Sequence, residues 1–241
     1  MHSILNKFNI SAFSDAGKIR RNNQDCILVN GQISNNGFIN KNNQCFLSCF
    51  VADGVGGNKA GEFASKYVLE SINDYELNAF DKINEEYLKK VNENLIDITK
   101  KNQNLLGSAT TLSGLTYQNA TLKVFHSGDS EIWLLRNDSF IKITNDQVLN
   151  PKIKNSPITS YFGGQENYLN LDNTICLEEI KTLDKFLICS DGLFKAIKTK
   201  QLKSILSATK TLQTKTERIL EMVLENEAED NVSVILIEAY A

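Results

Sequence analysis

Three aspartates lie at the ends of apolar, strand-like runs, and this placement restricts the fold of the chain more than any other feature. Asp53 occurs in Val51-Ala52-Asp53-Gly54-Val55-Gly56-Gly57, Asp191 in Ser190-Asp191-Gly192-Leu193, and Asp230 in Asp230-Asn231-Val232-Ser233-Val234. A carboxylate at the end of a buried strand is costly unless its charge is compensated. Converging carboxylates with no basic neighbour are most simply compensated by a divalent cation. The expected chemistry is therefore metal-dependent.

The 241 residues, 41% hydrophobic and 23% charged, suffice for one large domain, and no proline-rich or glycine/serine-rich linker divides them. A single domain over residues 1–241 is expected. A formal net charge of -3 without a clustered basic stripe argues against nucleic acid as a partner. The five cysteines, Cys26, Cys45, Cys49, Cys176 and Cys189, fall mostly inside apolar runs without C-x-x-C spacing, so they read as reduced core residues. The first residues lack a signal-peptide core, and no apolar stretch approaches the roughly 18 to 20 residues that span a bilayer. A cytoplasmic protein with no membrane insertion is expected.

Residues 8–12, 26–29 and 45–51 read as strands, and the Asn30-Gly31 and Asn36-Gly37 pairs between them as hairpin turns. The asparagine- and lysine-rich stretches 30–44 and 100–104 read as solvated loop. Phe63, Tyr67, Val68 and Ile72 share one helical face; Phe80, Ile83, Tyr87, Val91, Leu95 and Ile98 continue that spacing through a second, longer helix. Short apolar runs at 110–117, 121–126, 132–135 and 140–143 predict an antiparallel meander, 185–189 and 232–237 further strands, and 201–206 and 217–224 helices. Strands grouped into meanders with helical pairs between them favour an α+β fold, two packed antiparallel β-sheets flanked by pairs of helices, over a doubly wound parallel sheet.

The Asp53-Gly54-Val55-Gly56-Gly57 turn lacks the Gly-Lys-Ser/Thr of a P-loop and the full dinucleotide fingerprint, and on its own a tight turn capped by Asp53 explains it as well as a binding loop. It does not stand alone. In order along the chain come Gly17-Lys18-Ile19-Arg20-Arg21-Asn22-Asn23-Gln24-Asp25, the Asp53 loop, Gly107-Ser108-Ala109-Thr110-Thr111-Leu112, His126-Ser127-Gly128-Asp129-Ser130, Thr144-Asn145-Asp146, Ser190-Asp191-Gly192-Leu193 and Asp230-Asn231-Val232-Ser233-Val234. Together they closely resemble the metal-dependent serine/threonine protein phosphatases of the PP2C (PPM) family, in their compact bacterial form.

The resemblance implies hydrolysis of phosphoserine and phosphothreonine in proteins by a metal-activated water, reversing a cognate kinase, in a monomeric enzyme with two Mn²⁺ or Mg²⁺ ions. It implies that Asp53 bridges the ions, that Gly54 offers its carbonyl to one, and that Asp191 and Asp230 complete the first ion's protein ligands. Arg20 falls where the family places its phosphate-binding arginine, whose fork matches two phosphate oxygens. Asp25 is expected to steady metal-bound water or Arg20, Asp129 to hydrogen-bond a turn beneath the site, and Asp146 to bind a third ion. Neither His2 nor His126 is a convincing base.

Several positions depart from the family pattern. Gln24 stands where many members have glutamate, Val55 and Asn58 where members have histidine, Glu131 where arginine is usual, and Ser160 where an arginine ends the flap. The flap between Asp146 and Gly163 is short, which implies altered substrate selection. Two other readings keep the same fold: a pseudophosphatase that serves as a binding module, and a partner-switching phosphatase acting on an anti-sigma-factor antagonist.

Overall fold

The structure, a computed structural model, describes residues 7–55, 59–79, 83–153, 156–172 and 180–240. His2, Gly56, Gly57, Asn58, Phe80 and Cys176, which entered the sequence reading, lie outside the described residues. Strands β1 (Lys7–Asp15), β2 (Cys26–Val29), β3 (Gln32–Ser34), β4 (Gly37–Gln44), β5 (Leu47–Ala52) and β6 (Gly54–Val55) precede helices α1 (Lys59–Ala79) and α2 (Glu85–Lys100). After a 3-10 turn, Gln103–Leu105, come β7 (Ala109–Thr110), β8 (Leu112–Gln118), β9 (Thr121–Ser127), β10 (Glu131–Arg136), β11 (Ser139–Lys142), β12 (Phe162–Gly163) and β13 (Lys185–Cys189). Helices α3 (Gly192–Ala196), α4 (Thr199–Ser207) and α5 (Leu212–Glu225) then lead to β14 (Val232–Tyr240).

The strands form a six-stranded sheet in the order β11-β10-β13-β14-β1-β4, a five-stranded sheet in the order β3-β2-β5-β8-β9, and a small ladder β12-β7-β6. Period-two alternation divides each central strand between two cores. In β14, Ile235, Ile237 and Ala239 enter the core between the sheets, while Val232, Val234 and Leu236 pack beneath α3, α4 and α5. In β5, Cys49 and Val51 face the other sheet, while Phe50 and Ala52 pack beneath α1 and α2. Helices thus cover both outer faces, so these antiparallel strands are buried on both sides and read as unbroken apolar runs. Burying each large aliphatic or aromatic side chain contributes about 1.5–3 kcal/mol. The expected α-β-β-α sandwich is the observed one.

Four local readings change. Residues 37–44, read as solvated loop, form β4, an edge strand on β1 that buries only Ile39 fully; a mostly polar edge strand carries little apolar signal. The second helix is shorter than the first. It starts only after Asn84, whose side chain caps the Tyr87 amide at 2.9 Å, with buried Ile83 before the cap and Leu88 in the first turns as a hydrophobic staple. The four strands expected to form one meander belong to two sheets: β8 and β9 pair in one, β10 and β11 in the other, and the chain crosses between them at Gly128-Asp129-Ser130. Cys26, Cys49 and Cys189 are buried as expected, whereas Cys45 is exposed in the β4–β5 connection.

Candidate active site

Asp53 follows β5, where the ladder ends, and its backbone is pinned from across the sheet. Its amide donates to Thr111 Oγ1 at 3.0 Å, and its carbonyl accepts from the Thr111 amide at 2.9 Å and from Thr110 Oγ1 at 3.0 Å. Thr111 Oγ1 in turn meets Ser130 Oγ at 2.8 Å, so the threonine pair of one motif and the serine of the Gly-Asp-Ser motif hold the aspartate of another. Gly54 is required by packing as well as by any ligand. A Cβ there would meet the Gly61 carbonyl oxygen of α1 at 2.4 Å and the Gln24 carbonyl oxygen at 2.6 Å.

Asp25 is buried beside it. Its Oδ2 accepts from Ser190 Oγ at 2.7 Å, and Ser190 Oγ accepts from the Ser233 amide at 2.9 Å, which ties the first motif to the last two. Its Oδ1 is buried with no hydrogen-bond partner. Burial pushes the Asp25 carboxyl up to about 7, with Asp191 and Asp230 adding to the rise against hydrogen bonds from Ser190 and Ser233. Asp53 is likewise held well above the usual carboxylate range by burial, then by Asp25, Asp191, Asp129 and Asp230.

The loop that carries Arg20 is clamped to the segment after α5. Gly17, at φ 73°, lies so close to it that a Cβ would meet the Asp230 carbonyl oxygen at 2.4 Å, and the Lys18 amide donates to the Ala228 carbonyl at 2.9 Å. Asn231 is the clamp: its Oδ1 accepts from the Gln24 amide at 2.9 Å, and its Nδ2 donates to the carbonyls of Ala16 and Asn22, both at 3.0 Å. Arg20 Nε then reaches Asp230 Oδ1 at 2.9 Å with over half of its side chain exposed.

The premise that these carboxylates have no basic neighbour does not hold. Lys195, one turn into α3 from Asp191, places Nζ 2.6 Å from Asp191 Oδ2 and 2.8 Å from Asp230 Oδ2. The i, i+4 spacing from Asp191 is the signal in the sequence, and it depends on five-residue α3, which is too short to show a helical period. Burial opposes the charge of Asp230, yet Lys195 and then Arg20 outweigh it and hold the carboxyl below its ordinary value. Among the described residues Asp25, Asp53 and Asp129 form no ion pair.

Asp129 reaches the cleft itself. It lines the same cleft as Arg20, Gln24, Asp53, Gly54, Asp191, Lys195 and Asp230, and burial followed by Asp191 pushes it up to about 7. Asp146 lines an adjoining hollow shared with Asp129 and Asp191, and its Oδ1 accepts from Lys142 Nζ at 2.6 Å. Lys142 also bonds Glu131 Oε1 at 2.8 Å, so the acidic residue at the usual arginine position has found its own basic partner. His126 is a buried strand residue between Ser113 Oγ (2.8 Å) and the Asn145 carbonyl (2.9 Å), lowered by burial and off the cleft. The short flap doubles back through a bridge between Val148 and Ile158, and Ser156 and Ile158 reach the cleft wall. Ser160 is buried below it, bonded to Ser127 Oγ at 2.8 Å and to the Asn170 carbonyl at 2.9 Å.

Among the described residues no three His, Cys, Asp or Glu side chains are arranged to hold an ion as they stand, with Asp191 and Asp230 both turned to Lys195. The donor chemistry nevertheless fits a hard divalent cation. The oxygens are carboxylates and a glycine carbonyl, three of the carboxylates lack a cationic partner, and a buried Asp25 oxygen is left unsatisfied among them.

The sequence profile described as protein phosphatase 2C matches residues 23–233. The serine/threonine phosphatase stp of Listeria welshimeri is 28% identical over 93% of each chain. Protein phosphatase PhpP of Streptococcus pneumoniae is 26% identical over 95% of this chain and 96% of its own. The crystal structure of the catalytic domain of the serine/threonine protein phosphatase PstP in complex with two manganese ions superposes with a TM-score of 0.77 at 24% identity, covering 98% of this chain and 100% of that one. With a match across most of its length, the chain belongs to the protein phosphatase 2C family.

Proposed function

We propose that the chain is a single-domain, divalent-metal-dependent phosphatase of phosphoserine and phosphothreonine in proteins. The observation that carries this reading is the group of carboxylates without an ion-pair partner among the described residues, half-buried Asp53 and Asp129 lining a cleft with Asp191, Asp230 and Arg20, and Asp25 buried beside Asp53. Asp53, Gly54, Asp191 and Asp230 would hold two Mn²⁺ or Mg²⁺ ions, with Asp146 available for a third. When bound, such ions supply an activated water and neutralise the phosphoryl oxygens. Arg20 binds two phosphate oxygens through its guanidinium fork once it leaves Asp230, and its exposure makes that swing cheap. Asn231 fixes the loop from which Arg20 reaches. Asp25, held by Ser190, accepts from water in the site through its free oxygen. The substrate is a phosphoprotein of a cognate Ser/Thr kinase, the protein acts as a monomer in the cytoplasm, and no described helix is long and apolar enough to cross a membrane.

Lys195 favours a second reading, a family member with weakened metal binding that acts mainly as a binding module. Hydrolysis of a phosphothreonine peptide with Mn²⁺, with Mg²⁺ and with chelator separates the two. Mn²⁺-dependent turnover lost in Asp191→Ala supports the phosphatase; absence of turnover on any peptide with either ion supports the module.

A further inference from the structure

Next to the catalytic cleft lies a second hollow of about 440 Å³ that shares two wall residues with it, Val55 and Ile158. Its far side is built by Tyr161, just before β12, and by the loop that follows β12. Tyr161 and Tyr168 stand with ring centroids 5.6 Å apart and planes tilted by 44°, and Tyr168 Oη donates to Glu166 Oε2 at 2.9 Å. Gly164 lies directly against the Tyr161 ring, where a Cβ would come within 2.7 Å, so the ring rests on backbone and not on a mobile side chain. No lysine or arginine lines the hollow among the described residues. Tyr168 is half exposed and Val55 more than a third exposed, so the hollow opens to solvent on the same side as the cleft.

We infer that this hollow is a substrate subsite for an arginine or lysine side chain flanking the phosphoresidue, its stem on Val55 and Ile158 and its cationic head against the exposed ring of Tyr168 and Glu166. Electron-rich ring faces attract a cation, the attraction strengthens when part of its hydration is lost, and long basic side chains bury their stems on apolar surface while the head stays polar. The charge balance favours the same occupant. Glu166 is the one charged side chain lining the hollow among the described residues, so a basic side chain is attracted there and an acidic one repelled. Val55 supplies the apolar shelf that joins the two hollows.

The inference rests on the phosphatase reading for its substrate but is tested separately from it. Fluorescent peptides carrying a non-hydrolysable phosphonate analogue of phosphothreonine, with one arginine or one glutamate placed at each flanking position in turn, are bound to the Mn²⁺-loaded protein and followed by anisotropy. At one flanking position the arginine peptide is expected to bind about tenfold more tightly than the glutamate peptide, the scale of one partly desolvated cation–π contact. In Glu166→Gln and Tyr168→Ala, with melting temperatures as in the parent, the preference at that position should shrink to about twofold. Equal binding of the arginine and glutamate peptides at every position, or a preference undiminished in both variants, overturns the subsite. Turnover of p-nitrophenyl phosphate, too small to reach the hollow, tests the phosphatase reading by itself. Loss of that turnover with the arginine preference intact would overturn the reading and leave the subsite standing.

Discussion

Lys195→Met should tighten the binding of Mn²⁺. The ammonium lies 2.6 Å from Asp191 Oδ2 and 2.8 Å from Asp230 Oδ2, and a hard cation held by the same oxygens would bond them at about 2.1 Å. The two charges would then be separated by no more than about 5 Å. Repulsion between a unit and a double charge at that distance is about 1.7 kcal/mol in bulk water and about 6.6 kcal/mol at an effective dielectric near 20. The side chain is 27% exposed and can swing out to solvent, so the lower end applies: about 2 kcal/mol, or roughly thirtyfold in affinity. Methionine keeps most of the stem volume and removes only the charge. Isothermal titration with Mn²⁺ reads the change directly, without recourse to turnover, and Lys195→Arg serves as the control that keeps the charge. If Lys195→Met binds Mn²⁺ no more tightly than the parent, or more weakly, the ammonium does not compete with the ion and the electrostatic argument is wrong. The same variant should melt lower than the parent in chelator, because Asp191 and Asp230 lose the cation that now compensates them.

Gly54→Ala should be destabilised by about 3 kcal/mol or more, read by urea unfolding, since its Cβ would press on two carbonyl oxygens that cannot turn away. Asn231→Ala should lose about 2–3 kcal/mol with its three hydrogen bonds to the Arg20 loop, and should raise KM for phosphopeptide more than it lowers kcat; unchanged KM would show that the clamp does not position Arg20. Arg136→Ala should lower stability by about 3 kcal/mol without altering Mn²⁺ affinity. It leaves the buried Asp184, bonded through both oxygens at 2.7 and 2.5 Å, without its cation far from the cleft.

The parts of this protein that could be read in the sequence are those where burial and periodicity agree. β13 is apolar from Phe186 to Cys189 because the sheets press on one face and α3, α4 and α5 on the other, and such a run can be nothing but interior. β4 leaves little trace in the sequence because it is an edge strand that buries a single side chain fully, and the crossing at Gly128-Asp129-Ser130 leaves none because nothing local distinguishes a turn within a sheet from a turn between sheets. The same division holds at the cleft. The aspartates announced themselves by ending apolar strands, whereas the groups that set their electrostatics are known only through tertiary contact: Ser190 bonding Asp25 from 165 positions away, Asn231 bonding Gln24 from 207, and Lys195 reaching Asp230 from 35. Asp129 shows the limit most clearly. Its motif is legible in the sequence, whereas its place on the cleft wall near Asp191 depends on the crossing between sheets at Gly128-Asp129-Ser130. Motif order therefore identifies which carboxylates meet, and the sheet crossing together with Lys195 decides how strongly they need a metal.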